Sequence, residues 1–116
     1  MSIRRINPGP RMSAAVVHGH TVYLAGQVAD KTKGKGVAEQ TAEVLSIIDA
    51  LLKDAGTDKT KLLSCTIYLP DIATFAQMNG EWDKWVAAGH APARATVEAK
   101  LAAPDYKVEI AAIAAV

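Results

Sequence analysis

Leu62-Leu63-Ser64-Cys65-Thr66-Ile67-Tyr68-Leu69-Pro70-Asp71 is the pivot of this chain. Leu63, Cys65, Ile67 and Leu69 alternate onto one face of an extended segment, so the run reads as a strand. Pro70 stops it, and Asp71 is placed to cap a helix that follows. Upstream, Val37, Thr41, Val44, Leu45, Ile48, Leu51, Leu52 and Ala55 advance in steps of three and four. That spacing predicts a helix over residues 37–55, closed by Gly56. Downstream, Phe75, Met78, Trp82, Trp85 and Val86 make the apolar stripe of a second helix, which Gly89 ends. The strand thus stands between two helices.

Further out, residues 14–17 and 21–25 are strand-like, and His18-Gly19-His20 between them reads as a hairpin loop. Gly26-Gln27 ends the second of these strands, and residues 30–36 form a polar loop. Asn7-Pro8-Gly9-Pro10 limits residues 1–10 to a short strand and a turn. Residues 93–99 and 107–115 are two more strands, with a turn at 101–105. The order β-β-α-β-α-β-β predicts an α+β domain with two helices on one face of a mixed sheet. The other face would carry Tyr68, Ile113 and several alanines, which is too apolar for comfortable exposure. Self-association is expected to bury it.

The 116 residues fit one domain, with no internal repeat or linker. Half of them are hydrophobic, enough for a real core, and the net charge of +1 argues against nucleic-acid binding driven by electrostatics. Lys31, Lys33 and Lys35 alternate with Thr32, Gly34 and Gly36 and read as a solvated loop. A single cysteine, Cys65, rules out an internal disulfide and any cluster of metal-binding thiolates. The start, Met1-Ser2-Ile3-Arg4-Arg5, lacks the apolar run of a signal peptide, and no stretch has the length of a membrane span. A cytoplasmic protein is expected.

The chemistry concentrates in Pro92-Ala93-Arg94-Ala95-Thr96-Val97-Glu98 and Lys107-Val108-Glu109-Ile110. An arginine among small apolar residues needs a negative partner. Guanidinium takes a carboxylate in a planar two-bond fork that lysine cannot reproduce. Arg94 is therefore either a clamp for a small carboxylate or half of an ion pair with Glu98 or Glu109. Glu109 either orients Arg94 or a water, or balances a buried charge. Charged hydrogen bonds contribute about 1.5–3 kcal/mol each, enough to anchor a ligand but not to catalyse alone. Cys65 lies in an apolar alternation and reads as a core thiol. His18, His20 and His90 are a weak metal pattern, and no metal is expected. Met78, Trp82 and Trp85 read as core, while Asn79 beside them can turn its amide toward a pocket or to solvent. There is no phosphate loop, nucleophile elbow or zinc-protease helix.

Several segments together resemble the RidA/YjgF family of enamine/imine deaminases, formerly called L-PSP endoribonuclease-like. They are Arg11-Met12-Ser13-Ala14-Ala15-Val16, Val22-Tyr23-Leu24-Ala25-Gly26-Gln27-Val28, Gln40-Thr41, Thr66-Ile67-Tyr68-Leu69-Pro70-Asp71, Met78-Asn79, the Arg94 segment and Val108-Glu109-Ile110. They span nearly the whole chain in order. The resemblance implies a chorismate-mutase-like fold and a homotrimer with barrel-like packing of its sheets and sites between subunits. It implies hydrolysis of 2-imino acids to 2-oxo acids and ammonia without a cofactor. Arg94 would clamp the substrate carboxylate and Glu109 would help position water. Asn79, Thr96, Gly26 and Met12 would lie at the same pocket. The chain departs from the well-known deaminases in polar groups near that pocket. Met12 stands where tyrosine is common, Ala25 where serine often precedes the Gly-Gln pair, and Thr96 where cysteine is common. The alternatives are a carboxylate-binding member without turnover and, more remotely, an endoribonuclease.

Overall fold

The computed structural model describes residues 1–116. Its strands are β1 (Ile3–Pro8), β2 (Ser13–His18), β3 (Thr21–Gln27), β4 (Leu62–Leu69), β5 (Ala93–Glu98) and β6 (Glu109–Ala115). Helix α1 (Val37–Asp54) links β3 to β4, and α2 (Phe75–Trp85) links β4 to β5. The six strands form one sheet in the order β1-β2-β3-β6-β4-β5. Only β4 and β5 pair in parallel; the other neighbours are antiparallel.

The two helices cover one face, as their stripes predict. Val44, Leu45, Ile48 and Leu52 of α1, with Met78 and Trp82 of α2, bury against Val22, Leu24, Cys65, Ile67, Ile110 and Ala112 of the sheet. Trp85 ties the helices together by donating its indole N–H to Asp49 at 2.9 Å. Gly56 ends α1 as expected, with φ +86°. Its N–H donates to the Lys53 carbonyl and that of Thr57 to the Leu52 carbonyl, the paired bonds of a Schellman motif.

Three local details depart from the periodicity. In β4 the buried residues are Leu62, Cys65, Ile67 and Leu69, and Leu63 points outward. The register against β6 shifts between Leu62 and Ser64, so the irregularity turns Leu63 off the core face. Asp71 caps a separate 3₁₀ turn, Ile72–Thr74, by accepting from the Ala73 N–H, and α2 starts only at Phe75. Lys107 and Val108 precede β6 rather than belonging to it, although Val108 is fully buried.

Opposite the helices, the sheet presents Tyr23, Ser64, Thr66, Tyr68, Ala95, Val97, Ala111 and Ile113, by strand alternation and ladder register. Tyr23 and Val97 are exposed there. No helix of the protein is long and apolar enough to cross a membrane.

Candidate functional site

Ladder parity fixes where Arg94 points. On the parallel β4–β5 pair, Arg94 lies beside Cys65, Thr96 beside Ile67 and Glu98 beside Leu69. These β4 partners are core residues, so Arg94 lies on the helix-covered face, at the sheet's β5 edge. Its guanidinium meets α2, where Nη1 donates to Asn79 Oδ1 at 2.8 Å. The guanidinium carbon is 5.1 Å from the centre of the Trp82 ring and 5.7 Å from that of Phe75. Asn79 is its only hydrogen-bond partner in the chain, and no carboxylate lies within ion-pair distance.

Within one chain this arrangement excludes the alternative in which Arg94 is half of an ion pair with Glu109. Glu109 pairs with Tyr68 on β4, one position out of phase with the core residue Ile110, and so lies on the open face. Three residues along the ladder and two strands across separate the two positions, about 10 Å in each direction, with the sheet between them. The other structural partner, Glu98, shares the face of Arg94 but accepts from the Ile72 N–H.

Glu109 has its own seat. The β3 register against β6 slips between Leu24 and Gln27, leaving the two residues Ala25 and Gly26 opposite the one residue Ala111, a one-residue bulge. A Cβ on Gly26 would lie 2.2 Å from Glu109 Oε2. With Glu109 in this position only glycine fits, because the carboxylate occupies the space a side chain would fill. Gly26 and Glu109 are therefore together, and Arg94 and Asn79 are together, as two clusters on opposite faces.

Thr96 is next to Arg94, but its Oγ1 is sealed from solvent and has no hydrogen-bond partner. Met12 is exposed in the β1–β2 connection, whose N–H of Gly9 donates to the Met12 carbonyl. From β2 to β5 is four strand spacings, about 19 Å. A single chain does not bring Met12 to Arg94.

Cys65, beside Arg94 on the ladder, is buried. Burial pushes its thiol up to about 11, against a smaller opposing pull from the Arg94 guanidinium. It is a neutral core thiol rather than a nucleophile. No three His, Cys, Asp or Glu side chains gather as a metal site would require. The clefts of a single chain lie away from Arg94. One of about 340 Å³ lies between Val37, Asp71, Thr74, Gln77 and Lys107. A smaller one of about 220 Å³ lies on the open face between Tyr23, Ser64, Thr66 and Ile113.

Phe75 and Trp82 were not apparent as neighbours of Arg94 from sequence. Trp82 is core, as its stripe predicts, and it also flanks the guanidinium. The available signal was the spacing of Phe75, Asn79 and Trp82 at i, i+4 and i+7, which puts one polar residue between two rings on a single helix face.

Comparison with known proteins agrees with this architecture. The family model described as Endoribonuclease L-PSP matches residues 2–116. The RutC family protein YoaB of Escherichia coli is 47% identical over 116 residues, covering all of both chains. The 2-iminobutanoate/2-iminopropanoate deaminase of Rattus norvegicus is 36% identical over 107 residues, 88% of this chain and 77% of the rat protein. A crystal structure of a YjgF family member from Neisseria meningitidis superposes with a TM-score of 0.96 at 47% identity, covering 99% of this chain and 95% of that one. With a shared fold and matches along the full length, the chain belongs to the RidA/YjgF family, the family of the Endoribonuclease L-PSP model.

Proposed function

We propose that the protein is a 2-imino acid deaminase, hydrolysing reactive imines to 2-oxo acids and ammonia, with Arg94 as the carboxylate clamp. The observation that carries this reading is a half-buried arginine held by a neutral amide between two aromatic rings, with no acidic partner in its own chain. A cation so placed is a receptor for an anion. Kinship with the rat protein named as an imine deaminase supports the choice of anion.

The chemistry asks little of the protein. A protonated imine carbon is already electrophilic. Water adds to it to give a carbinolamine, which expels ammonia and leaves the 2-oxo acid. Holding the carboxylate and one water supplies orientation. That fits a chain whose only thiol is buried and neutral. In this reading Glu109, seated against Gly26, orients the water. Arg94 and Glu109 lie on opposite faces of one sheet, so a ligand touching both needs a second copy of the chain. A homotrimer with inter-subunit sites meets that need.

The test generates imino acids in place with an amino-acid oxidase and traps the survivors with semicarbazide. Wild type is expected to shorten imine lifetime and Arg94→Ala to abolish the effect. A folded wild type that accelerates no imine, with small or basic side chains, but binds 2-oxo acids would make the protein a carboxylate-binding member of the fold.

A further inference from the structure

We infer that the Phe75–Asn79–Trp82 face of α2 is a positioning device for Arg94, and that Asn79 must be an amide because a carboxylate there would consume the charge the site needs. The inference rests on the carboxylate-clamp reading for its ligand, but its geometry stands independently.

A flexible arginine at a sheet edge would normally lose much rotational freedom on binding an anion. Here that freedom is already restricted. Asn79, one turn after Phe75 and just under one turn before Trp82, accepts from Nη1 at 2.8 Å. The rings on either side of it along the helix lie 5.7 and 5.1 Å from the guanidinium carbon. Both kinds of contact favour a cation without neutralising it, since an amide oxygen and an aromatic face carry partial rather than full charge. No hydrogen bond within the chain uses Nε or Nη2, so one edge of the fork remains available for a carboxylate. Phe75 is 40% exposed, so the device reaches the surface where a ligand would arrive. Trp82 is only 6% exposed and anchors the other end in the core.

An acceptor chosen only for stability would be replaceable by aspartate, which offers the same oxygen at the same reach with a stronger bond. Asn79→Asp therefore separates the roles. We expect it to keep or raise the melting temperature while weakening binding of 2-oxobutanoate, the probe ligand, by about tenfold or more, because the new carboxylate competes for the fork. Phe75→Leu, which keeps apolar bulk without a ring, is expected to weaken the same binding by severalfold. Combined with Arg94→Ala, neither change should weaken it further, as a double-mutant cycle would report. Nitrogen-15 NMR of the Arg94 side chain gives a readout that needs no ligand. Hindered rotation of the guanidinium in wild type, released in Asn79→Ala, is expected. Arg94 rotating as freely in wild type as an exposed arginine, or Asn79→Asp binding 2-oxobutanoate as tightly as wild type, would overturn the positioning role. A hindered Arg94 in a protein that binds no 2-oxo acid would sustain the positioning role and remove the clamp reading instead.

Discussion

Two residues illustrate how absence of a side chain and absence of a charge each define this molecule. At Gly26 the missing Cβ is the seat of the Glu109 carboxylate, whose Oε2 lies 2.2 Å from where the atom would be. The obstructing oxygen is the far end of a flexible side chain, so Gly26→Ala can be accommodated by swinging Glu109 away. The expected result is a melting temperature within a few degrees of wild type and imine turnover reduced as far as in Glu109→Ala. Full turnover in Gly26→Ala would mean that the carboxylate acts from elsewhere or not at all. Cys65 is the other case. Its thiol is raised from an ordinary 9.0 to about 11 by burial. Two pKa units leave the thiolate about a hundredfold scarcer at pH 8 than in the unfolded chain. Iodoacetamide is expected to label the native protein at least that much more slowly. The same shift makes stability fall as pH rises from about 9 to about 11, because the unfolded chain loses this proton first. Labelling of the native protein at the rate of the unfolded one would show an accessible thiol.

At the scale of elements, the buried amide of Gln40 joins parts that no strand connects. From α1 it donates to the carbonyls of Lys35 and Asp105 and accepts from the Lys107 N–H at 2.8 Å. It thereby fixes the β3–α1 loop to the segment entering β6, and Tyr106 and Asp30 reinforce the same junction. Gln40→Leu keeps the size and strips three backbone groups of their partner. An unmade buried hydrogen bond costs about 1–3 kcal/mol, so a total loss of about 3 kcal/mol is expected, allowing for partial rescue by water. Thermal unfolding should read this as a drop of roughly 10 °C. Sequence periodicity reached the elements because both helices and β4 show one face to the core, and the signal of burial is strong along them. It did not reach Leu63, whose outward turn depends on a bulge set by the β6 partner. Nor did it reach the Arg94–Asn79 pair. Arg94 was visible as a charge stranded in a small apolar strand, but its partner depends on which strands are neighbours. With β6 between β3 and β4, Glu109 takes the parity of the open face, and the edge strand β5 lies beneath α2 instead. Local sequence carries alternation; it does not carry the ladder that decides which side each alternate residue takes.

For the molecule as a whole, the two clusters of the proposed site do not meet within a single copy. Arg94 and Asn79 lie at the β5 edge on the helix side, Gly26 and Glu109 lie on the open side, and Met12 is near the opposite edge of the sheet. The open side also bears Tyr23, Val97 and Ile113, two of which are exposed in the single chain. Apolar residues on a bare sheet face favour burial at about 25 cal/mol per Å². The proposed homotrimer requires this face to be covered and a β5 edge of one copy to meet the open face of another. Ile113, between Tyr23 on β3 and Ser64 on β4, sits near the middle of that face. Ile113→Glu would place a charge there without touching the helix-side core, so each chain should keep its fold. Sedimentation velocity at micromolar concentration is expected to give three times the 12.2 kDa chain mass for wild type and the single chain mass for Ile113→Glu. Imine turnover should vanish with the assembly, although Arg94 and Asn79 remain in contact, because Glu109 and Arg94 would no longer face one ligand. A wild type that sediments as a monomer while turning over imines would instead require the β5 edge alone to hold and hydrolyse the substrate, with Glu109 playing no part.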